Sequence, residues 1–513
     1  MTTSSLPRTY THEATFQETL YAWMESAPWL AISFAAHVLV FFVLTAFPWD
    51  SLTKEEPPII VAHTLMPDDL LPEEPPEEPD LPVEPIELPD MDEPVLIDSD
   101  VLVEDSVDED VWTVDPGSDS IGADSAFLDE GLNDVIGITG GGGKFGTRTL
   151  GRGGMKGTGG RQMEESLDHA LSWLANHQSP DGSWDADGFA SQCGHLGSDL
   201  CDGPGRAGQD VGVTGLALLA FLGEGDTPSE GKYRENVAKG IRWLRDQQDP
   251  DSGLLGDKAT HEFLYGHAIG TLALCEAYYA TKSPLLKQTC QTAAYYIQRA
   301  RNPYSAWRYD VPPMGMNDTS VTGWMVFALK AAEDAGLAVD EGAFEGALSW
   351  IDEATDAASG RVGYDETGSL SSRITGVNDH YPAEKGEAMT AVGLLARIFM
   401  GQDDPAEYPV LERHATLLER KLPAWDADGF GSDMYYWYYG TYAMYQLGGR
   451  HWKTWEASLK PAILDSQRAS GDAKGSWDPI GPWGFSGGRV YSTALMALTE
   501  EVYFRYGRLA GAR

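Results

Sequence analysis

The sequence predicts an all-α protein whose main part is an (α/α)6 toroid, six inner helices enclosed by six outer ones. Three observations lead to this class. Six short helical stretches of small and apolar residues recur after Met163: VTGLALLA at 213, IGTLALCE at 269, VTGWMVFA at 321, MTAVGLLA at 389, YGTYAMYQ at 439 and STALMALT at 492. Their second positions, 214, 270, 322, 390, 440 and 493, are separated by 56, 52, 68, 50 and 53 residues, a spacing that marks a repeat architecture. Amphipathic segments such as SLDHALSWLANHQ, NVAKGIRWLRDQQ and AFEGALSWIDEA precede them. A helix apolar all round is buried on every side, whereas an amphipathic one keeps a wet face, so the alternation predicts an inner ring with a central cavity and an outer ring.

Four segments precede the toroid. Residues 1–26 form a short N-terminal stretch, expected in the cytoplasm. Ala27 to Trp49 carries no Lys, Arg, Asp or Glu and is long enough to cross a ~30 Å hydrocarbon core. Trp29 and Trp49 stand at its ends, where amphipathic aromatics favour the interface. The apolar run is too long for a signal peptide, and AFPWD lacks a small-residue cleavage site, so a single uncleaved anchor is expected. Arg8 and Lys54 flank it almost evenly, and the charges alone barely orient it. Residues 50–136 form an acidic, Pro-rich linker. Between Ser51 and Val135 there are 27 Asp/Glu and one basic residue, Lys54, out of a formal net charge of −43 for the chain. Like charges and frequent prolines hold such a segment extended and solvated. Nucleic acid is excluded as a partner, because its phosphates need Lys and Arg. Residues 137–162 are Gly-rich and lack the Gly-x4-Gly-Lys-Ser/Thr frame of a phosphate loop, which leaves a flexible joint. The toroid then occupies 163–513, with 12 of the 16 Trp.

Ser33 and His37 lie four residues apart, on one face of the predicted span. A histidine in a membrane helix is costly without a partner and marks a functional site. Ser-x-x-x-His in a single N-terminal span, followed by a Pro- and acid-rich arm, resembles the anchor of TonB-type proteins. The resemblance covers roughly the first 100 residues and implies an inner-membrane anchor, a periplasmic toroid, and contact of Ser33 and His37 with an ExbB/ExbD-type proton-driven motor. Nothing in the chain resembles the TonB C-terminal domain.

The outer helices end in a tag: Gln178-SPD-Gly182-Ser-Trp184 and Gln467-RASGDAK-Gly475-Ser-Trp477, with weaker copies ending at Trp307 and at Gly363-Tyr364. These are similar to the repeats of squalene and hopene cyclases and of protein prenyltransferase β subunits, over about 350 residues. The C-terminal run from YYWYY onward is similar to membrane-anchored bacterial toroid proteins without an assigned reaction. In the cyclase family the Gln ties off a helix end and the Trp packs over it, so the tag is a fold marker. The family's catalytic D-x-D-D-T motif falls on Gly315-Met316-Asn317-Asp318-Thr319, where Asn317 replaces the proton donor and only Asp318 and Thr319 are kept. Cationic cyclisation needs a strong, desolvated acid, and this replacement argues against it. A prenyltransferase-type zinc would need Cys275 and His267, which are eight residues apart on one helix, about 12 Å along its axis; a core histidine and a core thiol fit better. A Gly-Cys-Gly-Glu-Gln thioester run is absent. Without Cys-x-x-Cys and with 11 His, no metal or other cofactor is expected. Cys193 and Cys201 bracket seven residues, which suits a loop-closing disulfide; Cys275 and Cys290 suit either a pair or free core thiols.

The sequence WDADGF occurs twice, at Trp184–Phe189 and Trp425–Phe430. Neither copy has EF-hand ligand positions, so the acids are expected to form turns and caps, with Trp425 placed like Trp184. The N-termini of inner helices converge on one mouth of a toroid. Asp210, Tyr265, His267, Asp318, Glu384, Glu387, Asp433, Tyr436 and Arg489 are the pocket residues expected there. The expected function is a membrane-anchored binding or scaffolding module, taking a lipid, glycan or peptide ligand. The alternatives are an enzyme on an isoprenoid or lipid, or a glycan hydrolase or lyase using paired carboxylates.

Overall fold

A computed structural model of the chain describes Val38, 160–194, 200–374, 376–426 and 431–505. Apart from Val38, the expected span with Ser33 and His37 and the linker 50–136 lie outside the described residues. So do all but the last three residues of the joint 137–162. Among the described residues no helix is long and apolar enough to cross a membrane.

Among the described residues twelve long helices alternate between two layers. The outer ones are α1 (Gly160–Asn176), α3 (Arg234–Asp246), α5 (Pro284–Arg299), α7 (Glu341–Ala354), α9 (Val410–Glu419) and α11 (Gly449–Leu464). The inner ones are α2 (Asp210–Glu224), α4 (Phe263–Thr281), α6 (Thr319–Asp334), α8 (Ala388–Phe399), α10 (Met434–Leu447) and α12 (Gly484–Glu500). Each inner helix packs on the next, and α12 returns to α2, which closes the ring of an (α/α)6 toroid. The patterning explains the layers. In α2 every residue from Val213 to Gly223 is buried. In α1 only one stripe is buried: Met163, Ser166, Leu167, Ala170, Leu171, Trp173 and Leu174.

The tag stitches neighbouring repeats together. Gln178 Nε2 donates to Gly182 O within its own turn and to Asn236 O on α3, both at 2.9 Å. Gln467 Nε2 does the same to Gly475 O (3.0 Å) and to Ser166 O on α1 (2.8 Å), so the last tag closes the outer ring onto the first helix. The indole Nε1 atoms of Trp184, Trp307 and Trp477 donate to the carbonyls of Leu174, Ile297 and Ile463, satisfying helix-end acceptors that have no partner within the helix. A copy that sequence reading passes over sits at Gln248, whose Nε2 donates to Gly253 O (3.3 Å) and to Thr289 O on α5 (2.9 Å). Leu255 stands there in place of Trp, which hides the repeat.

The inner positions aligned by the repeat have a common task. Thr214, Thr322, Thr390 and Thr493 accept, through Oγ1, the backbone N–H of Trp184, Trp307, Val362 and Trp477. In the fourth tag the aligned residue is thus Val362, and not Tyr364. The aligned position of α4 is Gly270, and His267 Nδ1 takes over by accepting from Leu255 N–H at 3.0 Å. At Gly440 of α10, a Cβ would lie 2.5 Å from Trp455, whose indole fills the space from α11.

The centre of the ring is filled beside α8. Helices α6 and α10 are not ring neighbours, because α8 stands between them, yet their aromatics meet across the interior. Trp324 stacks on Tyr438 with centroids 6.0 Å apart, and Phe327 stacks on Tyr439 at 5.4 Å. The expected central cavity is therefore occupied at this level by buried aromatic side chains.

Candidate functional site at the mouth of the toroid

Asp318 is the N-cap of α6, its Oδ1 accepting from Val321 N–H at 2.7 Å. Its backbone N–H donates to Trp307 O, and the next N–H, of Thr319, donates to Tyr364 O, both at 2.8 Å. The carboxyl is thereby wedged between the tag segments of repeats three and four and is 0% exposed. Oδ2 has no hydrogen-bond partner among the described residues. Burial raises this acid from the usual carboxylate range to about 7, with the Val321 amide and Arg308 pulling the other way. The buried carboxyl, with one oxygen unpartnered among the described residues, is thus part protonated near neutral pH.

A hydroxyl network lies around it. Tyr265 OH donates to Ser320 Oγ at 2.9 Å, and Ser320 Oγ lies 2.7 Å from Tyr435 OH. Tyr309 OH stands 3.3 Å from Tyr265 OH and 2.8 Å from Tyr364 OH. All four phenols feel the Asp318 charge, which adds to the burial that raises them. His261 packs on the Tyr309 ring with centroids 4.3 Å apart. Arg308 pairs with Asp365 at 3.2 Å at the edge of this group.

The mouth thus brings together Tyr265 and Asp318 from the nine expected pocket residues. The others have separate tasks. Asp433 caps α10 through Tyr436 N–H (3.1 Å) and pairs with the buried Arg373 (3.1 Å), beside a shallow cleft of roughly 300 Å³ including open solvent. Asp210 Oδ1 accepts from Ala186 N–H at 3.0 Å. Glu387 is held by Arg361 through two bonds of 3.0 and 2.7 Å and by Thr390. Glu384 is exposed.

Two expectations are corrected, those for His267 and Arg489. His267 faces the gap between layers, with Nδ1 on Leu255 N–H and Nε2 on Ala293 O; both nitrogens are used, and burial lowers it to about 3, so it is a neutral core histidine. Tyr436 lines the same cleft as Asp433, with its hydroxyl donating to Lys421 O at 2.9 Å. Arg489 is buried at a kink in α12 where Gly488 takes φ +66°, and a Cβ there would meet Gly205 N at 2.4 Å. Its guanidinium binds Asp202, Ser476 Oγ (3.0 Å) and Asp478 (2.8 Å), clamping the loop of repeat one onto repeat six.

The cysteines are all free thiols in this structure: Cys275 and Cys290 in the core, and Cys193 and Cys201 beside His177, not joined to each other. In the first WDADGF copy Asp185 Oδ1 accepts from Asp187 N–H and Gly188 N–H, the expected turn. Trp425 is half-buried against Trp437, unlike the fully buried Trp184, and residues 427–430 of that copy lie outside the described residues. Asn317, at the cyclase donor position, is turned into its own loop, with Oδ1 accepting from Asn302 Nδ2 (2.8 Å) and Ala306 N–H (3.2 Å) and Nδ2 donating to Ser305 (2.8 Å).

Sequence reading missed Ser320, Tyr309, Tyr364 and Tyr435. A signal existed for two of them: Tyr309 and Tyr364 each stand two residues beyond the tag residue, Trp307 and Val362, and an extended segment alternates its faces.

No family model matches the chain, and no curated protein matches it. Similar solved structures include an inactive variant of an alpha-1,6-mannanase of Salegentibacter in complex with alpha-1,6-mannotriose. It is 11% identical, covers 67% of this chain and 99% of that one, and has a TM-score of 0.45. Cellobiose 2-epimerase from Bacillus thermoamylovorans is 14% identical over 66% of this chain and 97% of that one, with a TM-score of 0.44. A type II terpene cyclase from Scytonema is 14% identical over 67% and 97%, with a TM-score of 0.40. Likeness at this level assigns neither a family nor an activity, and the toroid is defined by the packing order of its own helices.

Proposed function

We propose that the toroid is a binding module that seats an uncharged, hydrogen-bonding ligand, a neutral sugar or peptide, at the mouth over Asp318. The observation that carries this reading is the net of tyrosine and serine hydroxyls joined through Ser320, beside a buried carboxyl raised to about 7 and so part protonated near neutral pH. Phenols and a protonated carboxyl both donate and accept, and tyrosine faces pack on C–H surfaces. The aromatic filling behind the mouth speaks against a deep lipid chamber on that side. Calorimetric titration of the full chain with neutral oligosaccharides and with uncharged short peptides is expected to find one binding class. Tyr435→Phe is expected to weaken it about tenfold by removing one hydrogen-bonding hydroxyl. A stoichiometric lipid in the purified chain, with no response to either neutral probe, would replace this reading with the lipid one.

The same acid favours one second reading, an enzyme that uses Asp318 as general acid on a glycan. That chemistry needs a second carboxylate ~5–9 Å away, and Asp365, which acts on Asp318 electrostatically, is engaged by Arg308.

We also propose that the module is held in the periplasm by an inner-membrane anchor at 27–49, with Ser33 and His37 turned to an ExbB/ExbD-like complex. The spacing of these two polar residues on one helix face supports it. Pull-down of that complex is expected to be lost in Ser33→Ala and His37→Ala; recovery equal to wild type removes the motor from the proposal.

A further inference from the structure

Outside the mouth, one cluster of metal-ligating side chains belongs to no task described so far. His177 directly follows α1, just before the first tag, and Cys193 and Cys201 lie on the segment that leads to α2. His177 Nε2 is 3.4 Å from Cys193 Sγ and 3.5 Å from Cys201 Sγ, and the three ligand atoms all lie within 4.8 Å of one another. Tetrahedral zinc with Zn–S ~2.3 Å and Zn–N ~2.0–2.1 Å puts N and S ~3.5 Å apart, which is the separation found here.

The surroundings prepare the three groups for this role. His177 Nδ1 lies 2.8 Å from Trp173 O, a carbonyl that can only accept, so the proton sits on Nδ1 and the Nε2 lone pair faces the sulfurs. The ring is held by stacking on Trp173 at 4.1 Å and by the edge of Phe189. Cys201 N–H donates to Cys193 Sγ at 3.2 Å, which fixes the two thiols beside each other. Burial and the neighbouring Cys193 push the Cys201 thiol up to about 12, with Trp173 and Arg489 opposing more weakly, so a metal ion would have to displace its proton. Beside Cys193, Gly194 N–H is fixed by the buried Asp472 of repeat six at 2.8 Å. His177 and Cys201 are buried while Cys193 is partly exposed, which leaves a way in.

We infer that His177, Cys193 and Cys201 form a binding site for a thiophilic d10 metal ion of the zinc class, with a fourth position left to solvent or a neighbouring carboxylate. Binding releases the two thiol protons to water, so affinity rises with pH. The ion ties the end of α1 to the insertion of repeat one, near the seam where repeats six and one meet. The absence of a Cys-x-x-Cys pair does not count against it, because the turn of the tag brings the histidine to the two thiols. The proposal departs from the expectation of a metal-free chain at these three residues.

The full chain, reduced and stripped with a chelator, is titrated with Co²⁺. One equivalent is expected to produce a thiolate-to-cobalt charge-transfer band, and Zn²⁺ is expected to displace it. Cys193→Ser and Cys201→Ser are each expected to lose most of the band and to weaken the site ~10-fold or more. Cys193→Ser is the more informative variant, since this residue is partly exposed and its helical circular dichroism is expected to match wild type. A band unchanged in that variant overturns the proposal. So does a Cys193–Cys201 disulfide in chain isolated without reductant, together with no cobalt uptake after reduction.

Discussion

Replacing Arg505 with methionine is expected to lower the unfolding free energy of the full chain by about 3–5 kcal/mol, measured by urea denaturation. Arg505 stands on the short helical turn after α12, 3% exposed. Its Nη2 binds both oxygens of Glu276 on α4, at 2.7 and 2.5 Å, and its Nη1 binds Glu501 (2.6 Å) and Leu219 O on α2 (2.7 Å). One guanidinium thus joins three parts of the ring, and Gly223 lets it in, since a Cβ there would lie 2.2 Å from Arg505 Nη1. Removing it takes the guanidinium away from two buried carboxylates, and losing one member of a buried ion pair costs more than the bridge itself contributes. The triple change Arg505→Met, Glu276→Gln and Glu501→Gln is expected to recover most of the loss. A single variant as stable as wild type would mean that water already screens the three charges.

Asp318→Asn is expected to leave stability unchanged at pH 4 and to raise it at pH 8. Asn caps a helix about as well as Asp, so the α6 N-terminus is kept while the charge is removed. In the wild type, burial raises Asp318 from 3.8 to about 7. Between these values the folded chain keeps a proton that the unfolded chain has lost, so stability falls as pH rises through this range and levels off above it. Three pKa steps at 1.36 kcal/mol each put the gain at pH 8 on the order of 4 kcal/mol. Asp334 is also raised to about 7 by burial, but it titrates in both chains and cancels in the comparison. Equal urea midpoints for variant and wild type at both pH values would show that Asp318 is ionised in the fold.

The fold was legible because its determinants are local and repeated. Six apolar stretches and the amphipathic segments before them specify burial on all sides or on one face, and the spacing sets their order. The tags at Trp184 and Trp477 were legible for the same reason, whereas Leu255 and Val362 hid their copies by replacing the indole with another hydrophobe. Asp318 was found as the residue before an inner helix. The same end of the inner helices predicted too much elsewhere: Tyr436 and His267 lie in the first turns of α10 and α4, but their side chains turn to the outer layer, and Glu387 is paired with Arg361. Position along the chain fixes height in the ring and leaves direction open.

The sequence by itself determined the alternation of buried and amphipathic helices and the number of repeats, because each depends on residues within a few turns of one another. Only the tertiary structure decided that Trp324 and Phe327 meet Tyr438 and Tyr439 across the ring, that Ser320 joins Tyr265 to Tyr435, and that His177 meets Cys193 and Cys201. These groups come from elements brought together by ring closure, and their rotamers are set by the space that neighbouring helices leave.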